Sequence, residues 1–222
     1  MDSIKGKRIV CITDVHGNLS AFLRLLETTG FDPQKDTFVF GGDFLDRGKD
    51  EYGVFLKLME MKEQMKERMI WVPGNHEDTL LYLYRYRLPL TEMQREIAGK
   101  LEQMHLKSFY EFKEVAFVHG EFSERLNDPL MNLFGGRQIS RCEKAYSGKL
   151  FIAGHNEVSS PCYVYERIRS NLKDGMSLPG KGAIFYDTSY NPQTDAGGGY
   201  MTALIIEDGR IYLVSEKMEA EK

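Results

Sequence analysis

Residues 8–18 read RIVCITDVHGN, residues 37–48 read TFVFGGDFLDRG, and residues 69–77 read MIWVPGNHE. Each stretch opens on a short apolar run rich in β-branched or aromatic residues, then breaks into glycine, carboxylate and imidazole. Such runs, stopped by Gly or Pro, are the pattern of buried strands. Helical spacing fills the intervals. Leu19, Phe22, Leu23 and Leu26 follow the i, i+3, i+4, i+7 pattern, with Asn18 as the expected cap and Gly30 as the expected stop. Residues 51–65 predict a second helix with Phe55, Leu58 and Met59 on one face. Strand, helix, strand, helix, strand specifies a largely parallel sheet with helical crossovers.

Outward from these stretches, residues 78–110 are helical in pattern, interrupted at Pro89, with Met93, Ile97, Leu101 and Met104 as one apolar stripe. Residues 115–118 (VAFV) and 150–153 (LFIA) return to strand. The last third predicts strands at 183–187, 201–207 and 210–215, with Asp208-Gly209 as a tight hairpin turn. Antiparallel strands after a βαβ start predict a mixed sheet or two sheets packed together. Residues 161–181 lack periodicity and read as a surface loop; Tyr163, Tyr165, Arg167, Arg169 and Lys173 there either line a substrate site or face solvent. The expectation is a single domain over residues 1–222 with a helical segment at 78–110.

The 222 residues suffice for a buried core without disulfide or structural-metal staples. Hydrophobic residues at 42% exclude a disordered chain, and a net charge of -4 gives no case for a general nucleic-acid or anionic-membrane surface. No apolar stretch is long enough to span a bilayer, and the first residues carry charges rather than a signal core, so a cytoplasmic location is expected. Three cysteines, Cys11, Cys142 and Cys162, have no C-x-x-C spacing, which argues against a disulfide framework or a thiolate zinc site. Cys11 reads as a small core residue.

The polar residues collect at strand ends. The first run ends in Asp14-Val15-His16-Gly17, the second in Gly41-Gly42-Asp43 and then Asp46-Arg47-Gly48, the third in Gly74-Asn75-His76-Glu77. VAFV ends in His119-Gly120 and LFIA in Gly154-His155, so four of the five histidines fall at such ends and only His105 does not. Ligands bind beyond the carboxyl ends of strands in open α/β sheets. Imidazole and carboxylate oxygen without thiolate suit manganese, iron or zinc in a dinuclear site. Asp14 and His16, two apart on an extended backbone, would point to one side. Asp43 can bridge, because a carboxylate has two oxygens, and a pair of ions clamps an in-line displacement. Glycines beside the ligands would let the backbone turn sharply. Asp46 and Arg47 are either site residues or a salt-bridged turn.

The ordered motifs DVHGN, GGDFLDRGKD, GNHE, HG and GH resemble the calcineurin-like metallophosphoesterases, and more narrowly the phosphoprotein phosphatase (PPP) type of Ser/Thr phosphatase in its compact bacterial and phage form. The tail FYDTSYNPQ…GGGYMTALIIEDGRIYLV is similar to the closing strands of that family. The resemblance implies an α/β fold of mixed sheets in a sandwich flanked by helices, in α/β/β/α layers. It implies two divalent metal ions, manganese first and iron or zinc as alternatives. Asp14 and His16 would hold the first ion, Asp43 would bridge, and Asn75, His119 and His155 would complete the second. His76, oriented by Asp46, would be the general acid, with a metal-bridging hydroxide attacking in line. Arg47 and Asn75 would bind the substrate phosphate. For a second phosphate-binding arginine, Arg137 in LFGGRQ stands nearest the family's W-x-R, with Arg141 as competitor.

Asn156-Glu157 stands where the family commonly has Thr-Pro, and Glu121 where a small residue is common. These two added acids either disfavour highly anionic substrates or face solvent. The resemblance implies a phosphoserine/phosphothreonine protein phosphatase, acting on a phosphoprotein or a small phosphoester. A diadenosine polyphosphate pyrophosphohydrolase is the alternative, and a non-catalytic module retaining the fold a third reading. Asp46 favours the first, because relatives of the second type typically lack the Asp of that Asp-Arg-Gly triplet. No membrane or nucleic-acid partner is expected, and the sequence leaves the oligomeric state open.

Overall fold

The three deciding stretches form neighbouring strands. The computed structural model describes residues 3–120, 149–166, 168–189 and 197–218. β1 (Ile9–Ile12), β2 (Thr37–Phe40) and β3 (Met69–Trp71) run parallel in the order β3-β2-β1, and α1 (Leu19–Thr28) and α2 (Glu51–Met65) are the crossovers. α3 (Asn75–Arg85) starts directly after β3, and α4 (Glu92–Met104) follows the break at Pro89. The remaining strands are β4 (Phe109–Glu111), β5 (Val115–Val118), β6 (Leu150–Ala153), β7 (Cys162–Tyr165), β8 (Ile168–Asn171), β9 (Met176–Ser177), β10 (Gly182–Phe185), β11 (Tyr200–Glu207) and β12 (Arg210–Lys217).

Of the two alternatives, the packed pair of sheets is the one found. One six-stranded sheet has the order β3-β2-β1-β11-β12-β9 and the other β4-β5-β6-β10-β7-β8. Both are mixed: β11 is antiparallel to β1, with Cys11 opposite Leu204, while β5, β6 and β10 are parallel. The central strands are buried on both faces, which explains their unbroken apolar runs. Val10, Ile12, Phe38, Phe40 and Trp71 pack under the helices with Phe22, Leu25, Phe55 and Leu58. Ile9, Cys11, Val39 and Leu204 face the second sheet, against Phe117, Ile152 and Ile184. The Asp208-Gly209 turn is as expected: both residues have positive φ (48° and 71°), and Glu207 pairs with Arg210 across it.

Three local expectations need correction. Asn18 precedes α1 but its side chain does not cap it; the amide donates to the Val15 and His16 carbonyls instead, at 3.2 and 2.9 Å. The helical pattern to residue 110 stops at Met104, because His105 takes a left-handed conformation (φ 48°) and the aromatic stretch after it pairs with β5 as edge strand β4. Residues 161–181 contain the hairpin β7–β8 and the short β9 rather than a plain loop. β7 alternates buried Cys162 and Val164 with half-buried Tyr163 and Tyr165, but β8 is exposed throughout, so it offers no apolar period. Tyr163 donates to the Lys181 carbonyl at 2.8 Å, and the Lys181 ammonium lies 4.6 Å from the Tyr165 ring centroid. Cys11 and Cys162 are buried and free, and burial pushes both thiols up. Arg137, Arg141, Glu121, Cys142 and Arg167 lie outside the described residues.

Leu204 is fully buried between the sheets. Leu204→Ala should cost about 2–5 kcal/mol, read as a lower urea midpoint at unchanged slope; a loss under 1 kcal/mol would show that this layer is not close-packed.

Candidate metal centre and active site

Two sets of three parallel strands, one in each sheet, bring their carboxyl ends to one rim. Asp14 and His16 follow β1, Asp43 follows β2, and Asn75 and His76 open α3 directly after β3. From the second sheet come His119 after β5, His155 after β6 and Asp187 after β10. The sheets are stitched together there: the His155 backbone N–H donates to Asp14 Oδ2 at 3.1 Å, and His119 Nδ1 lies 2.7 Å from the Gly41 carbonyl.

Asp43 sits at the centre. Its Oδ2 is 3.1 Å from His119 Nε2, 3.8 Å from His76 Nε2 and 3.9 Å from His16 Nε2. Its Oδ1 accepts the His76 backbone N–H at 3.0 Å. Two groups have ligand atoms within 4.8 Å of one another, His16–Asp43–His76 and Asp43–His119–His155, and they share Asp43. Asp14 Oδ1 lies 3.9 Å from His16 Nε2, and Asn75 Oδ1 lies 3.1 Å from His119 Nε2. The structure thus brings together all six residues expected to ligate metal, and adds His76 to the first group.

Burial decides whether this donor set fits cations. Asp14, Asp43 and His16 are 1–2% exposed, and His119 is fully buried. Buried carboxylates are costly unless paired or coordinated. Among the described residues, the ion pairs reaching Asp14 and Asp43 come from His16, His76 and His119. Burial, then repulsion from Asp187, pushes the Asp14 carboxyl well above the usual range. Burial pushes Asp43 the same way, but the charge and hydrogen bond of His119 outweigh it and hold Asp43 low. His119 is driven up to about 10, because Asp43 and Asp14 outweigh the burial that lowers it. Burial takes His16 down to about 3, which leaves a neutral imidazole. In each of these two histidines Nδ1 faces a backbone carbonyl, Leu45 at 2.7 Å for His16 and Gly41 at 2.7 Å for His119. An Nδ1–H donated there leaves Nε2 facing the carboxylates, as a lone pair on neutral His16 and as the atom His119 would offer a metal on giving up its proton. The residues fit a pair of divalent cations.

His76 is placed differently. Its side chain is 20% exposed, at the mouth of the site, and Nδ1 lies 2.5 Å from Asp46 Oδ2. Partial burial lowers its pKa, but the Asp46 hydrogen bond and the Asp43 charge more than offset this and raise it. The same hydrogen bond holds Asp46 below the usual carboxylate range. Arg47 Nη1 is 3.6 Å from Glu157 Oε1, so Asp46 and Arg47 each look across the site rather than closing a turn on each other.

The loop geometry departs from expectation. Asp14, His16, Asp43, Asp46, Arg47 and His155 themselves take positive φ, between 44° and 66°. Left-handed backbone costs a non-glycine residue about 1–2 kcal/mol, and such strain gathers at functional sites. Asp14 and His16 therefore converge on a coiled backbone, not an extended one. Glycine supplies room as well as turning: a Cβ on Gly74 would collide with the Asp43 carboxylate, and one on Gly154 with Asp14 and Thr13.

Two buried acids had no role in the sequence reading. Glu77, fully buried, accepts the backbone N–H groups of Asp43 (2.8 Å), Phe44 (3.0 Å) and Gly74 (2.7 Å), tying the loop after β2 to the start of α3. Burial and the Asp43 charge push it up to about 7. A Glu at the third position of a helix is a capping-box signal, which was present in GNHE. Asp187 is 2% exposed, accepts the Ser189 N–H at 2.9 Å, and is raised to about 6 by burial. Its signal was weaker, a lone acid after the apolar run AIFY. Glu77→Leu would orphan three buried donors, at about 1–3 kcal/mol each. Denaturation of the metal-stripped variant should show a loss of at least about 3 kcal/mol on that scale, and a loss under 1 kcal/mol would remove the clamp.

A family model for the calcineurin-like phosphoesterase matches residues 7–173. Serine/threonine-protein phosphatase 7 of Arabidopsis thaliana is 40% identical over 77 residues, covering 35% of this chain and 18% of its own length. A symmetrical bis(5'-nucleosyl)-tetraphosphatase of Wigglesworthia glossinidia brevipalpis is 37% identical over 73 residues, covering 33% of this chain and 25% of its own. A solved metallophosphoesterase from Sphaerobacter thermophilus superposes with TM-score 0.63 at 19% identity, over 96% of this chain and 89% of that one, which shows a shared fold. The match over residues 7–173 and the shared architecture place this chain in the calcineurin-like phosphoesterase family.

Proposed function

We propose that this chain hydrolyses phosphoserine and phosphothreonine in proteins at a dinuclear centre, with manganese as the working metal. What carries the reading is Asp43, whose carboxylate belongs to both ligand groups. Asp14 and His16 would hold the first ion with Asp43, and Asn75, His119 and His155 would complete the second. When bound, the pair supplies Lewis acidity and a water-derived nucleophile at neutral pH.

The chain's own residues do the rest. Arg47 binds phosphate oxygens through charge-assisted hydrogen bonds, with Asn75 beside the same phosphate. As the new P–O bond forms and the ester bond breaks, His76 gives the Nε2 proton to the departing oxygen. Asp46, at Nδ1, keeps the ring oriented and stabilises its charged form. This pairing matters most for an alkoxide, a poor leaving group. It supports a serine or threonine ester over a nucleotide polyphosphate, whose leaving phosphate needs little protonation. The second reading, diadenosine polyphosphate hydrolysis, draws support from the tetraphosphatase relative. No helix among the described residues is long and apolar enough to cross a membrane, and the free cysteines support a reducing, cytoplasmic setting.

Stripped protein reconstituted with Mn²⁺ should hydrolyse a phosphoserine peptide in preference to diadenosine tetraphosphate; the reverse order would select the second reading. His76→Asn should lower kcat on the phosphopeptide by about 10²–10⁴ and less on p-nitrophenyl phosphate, whose leaving group needs no proton. Equal losses on both would end the acid assignment. Asp43→Asn should reduce bound metal, counted by elemental analysis, below that of the parent chain; full retention would disprove bridging.

A further inference from the structure

We propose that the elbow between α3 and α4 receives an acidic stretch of the protein substrate, about five residues from the phosphoresidue held at the metal centre. The inference rests on the phosphoprotein reading and deepens it to a class of substrate sequence.

The elbow carries positive charge that the chain itself does not use. An open cleft of about 530 Å³ lies there, with Arg85, Arg87, Arg95, Tyr84 and Glu102 in its lining. Arg85 is committed to Glu102, its Nε at 2.9 Å and its Nη2 at 2.7 Å from Oε2. Among the described residues no carboxylate pairs with Arg87 or Arg95; the Arg95 guanidinium makes one long bond, to the Leu90 carbonyl at 3.4 Å. Glu96, beside Arg95 in sequence, accepts instead from the Tyr52 hydroxyl at 3.1 Å. Arg87 and Arg95 are both exposed, so a ligand can reach them. One acid against three arginines leaves the cleft positive, in a chain whose net charge is -4.

The elbow holds its arginines in place. The Arg87 N–H donates to the Tyr84 carbonyl at 3.1 Å and the Leu88 N–H to the Leu83 carbonyl at 2.9 Å. Thr91 and Gln94 close a reciprocal capping box at the start of α4, and Leu90 packs against the core. A surface ordered beforehand loses less freedom when a partner binds.

A stripe along α3 connects the metal site to this cleft. Asn75, Thr79, Tyr82 and Tyr86 are spaced i, i+4, i+7, i+11, which puts them on one side of the helix. The stripe starts at Asn75, in the metal site, and the other three are exposed. The Tyr82 and Tyr86 rings lie against each other, centroids 4.5 Å apart. At 1.5 Å per residue, Arg85 stands about 15 Å along the helix from Asn75. An extended peptide covers that distance in about five residues. Its backbone and apolar atoms would meet the two tyrosines, and an aspartate or glutamate at its far end would meet Arg87 and Arg95.

The test compares phosphoserine peptides carrying three glutamates or three glutamines four to six residues away, before the phosphoserine in one pair and after it in another. On the manganese-loaded full chain, kcat/KM for one glutamate peptide should exceed that of its glutamine counterpart about fivefold, the scale of two exposed ion pairs. The lead should fade in about 0.5 M salt. Arg87→Gln combined with Arg95→Gln should abolish it and leave p-nitrophenyl phosphate turnover unchanged. Arg87→Glu combined with Arg95→Glu should shift the preference to a lysine counterpart. Glutamate and glutamine peptides cleaved within twofold of each other in both pairs overturn the proposal, as does a lead that survives both double exchanges. Should the parent chain hydrolyse no phosphopeptide, the phosphoprotein reading fails. Binding of the glutamate peptides with serine in place of phosphoserine, read by fluorescence anisotropy, then decides the elbow: weaker binding to the double glutamine variant upholds it, and equal affinity overturns it.

Discussion

Keeping the Asp43 carboxylate ionised while it is 1% exposed is the constraint on which the rest of the structure depends. A lone buried anion is costly, so every polar neighbour is arranged to compensate it. His119 approaches Oδ2, the His76 N–H approaches Oδ1, and the missing side chain of Gly74 leaves room for the carboxylate itself. Yet the surroundings also add negative charge. Asp14, Glu77 and Asp187 are each no more than 2% exposed, and burial raises all three. A site that gathers this many buried acids around neutral His16 and one charged imidazole is electrostatically incomplete on its own. It is built for cations, which reverse the logic that pushes those carboxyl groups up.

The sandwich is what brings the acids together. β1, β2 and β3 in one sheet and β5, β6 and β10 in the other are two sets of parallel neighbours. Their carboxyl ends meet where Gly41 lies against Thr13 and Tyr186, and Gly154 against Asp14. The apolar layer between the sheets, with Cys11, Val39, Leu204, Ile152 and Ile184, sets the distance across which His119 and His155 must reach. Core packing and ligand geometry are therefore one problem. A change in the thickness of that layer displaces two imidazoles relative to Asp14 and Asp43.

The strands and both crossover helices were legible because they are buried on known faces, and burial leaves a period. β8 has none, and β4 is a three-residue aromatic edge beyond a helix end set by the left-handed His105. The six ligand candidates were legible because each sits next to a strand stop. What the sequence hid was conformation. An aspartate or histidine in left-handed backbone looks like any other, so the turns were assigned to glycine. Glu77 was half visible: the capping-box position in GNHE marks its bond to Gly74, but its reach to the backbone N–H groups of Asp43 and Phe44 leaves no trace in residue types. Asn18 shows the converse, a residue with every sign of a cap whose amide turns back to the metal-site loop instead.

The first turn of α3 shows why the spacing Gly74-Asn75-His76-Glu77 admits no insertion. Unpaired N–H groups at a helix start carry partial positive charge and favour an anion, and the His76 N–H spends it on Asp43. One residue on, Glu77 reaches back to Gly74 and across to Asp43 and Phe44. One residue before, Asn75 turns its amide oxygen to His119. Successive helical residues differ by about 100° in direction, so three consecutive side chains can serve three different faces of one carboxylate's surroundings. Shifting the register by one would send the imidazole of His76 away from Asp46 and leave Glu77 without its three donors. The turn is a single device with three functions, and the carboxylate of Asp43 is what all three have in common.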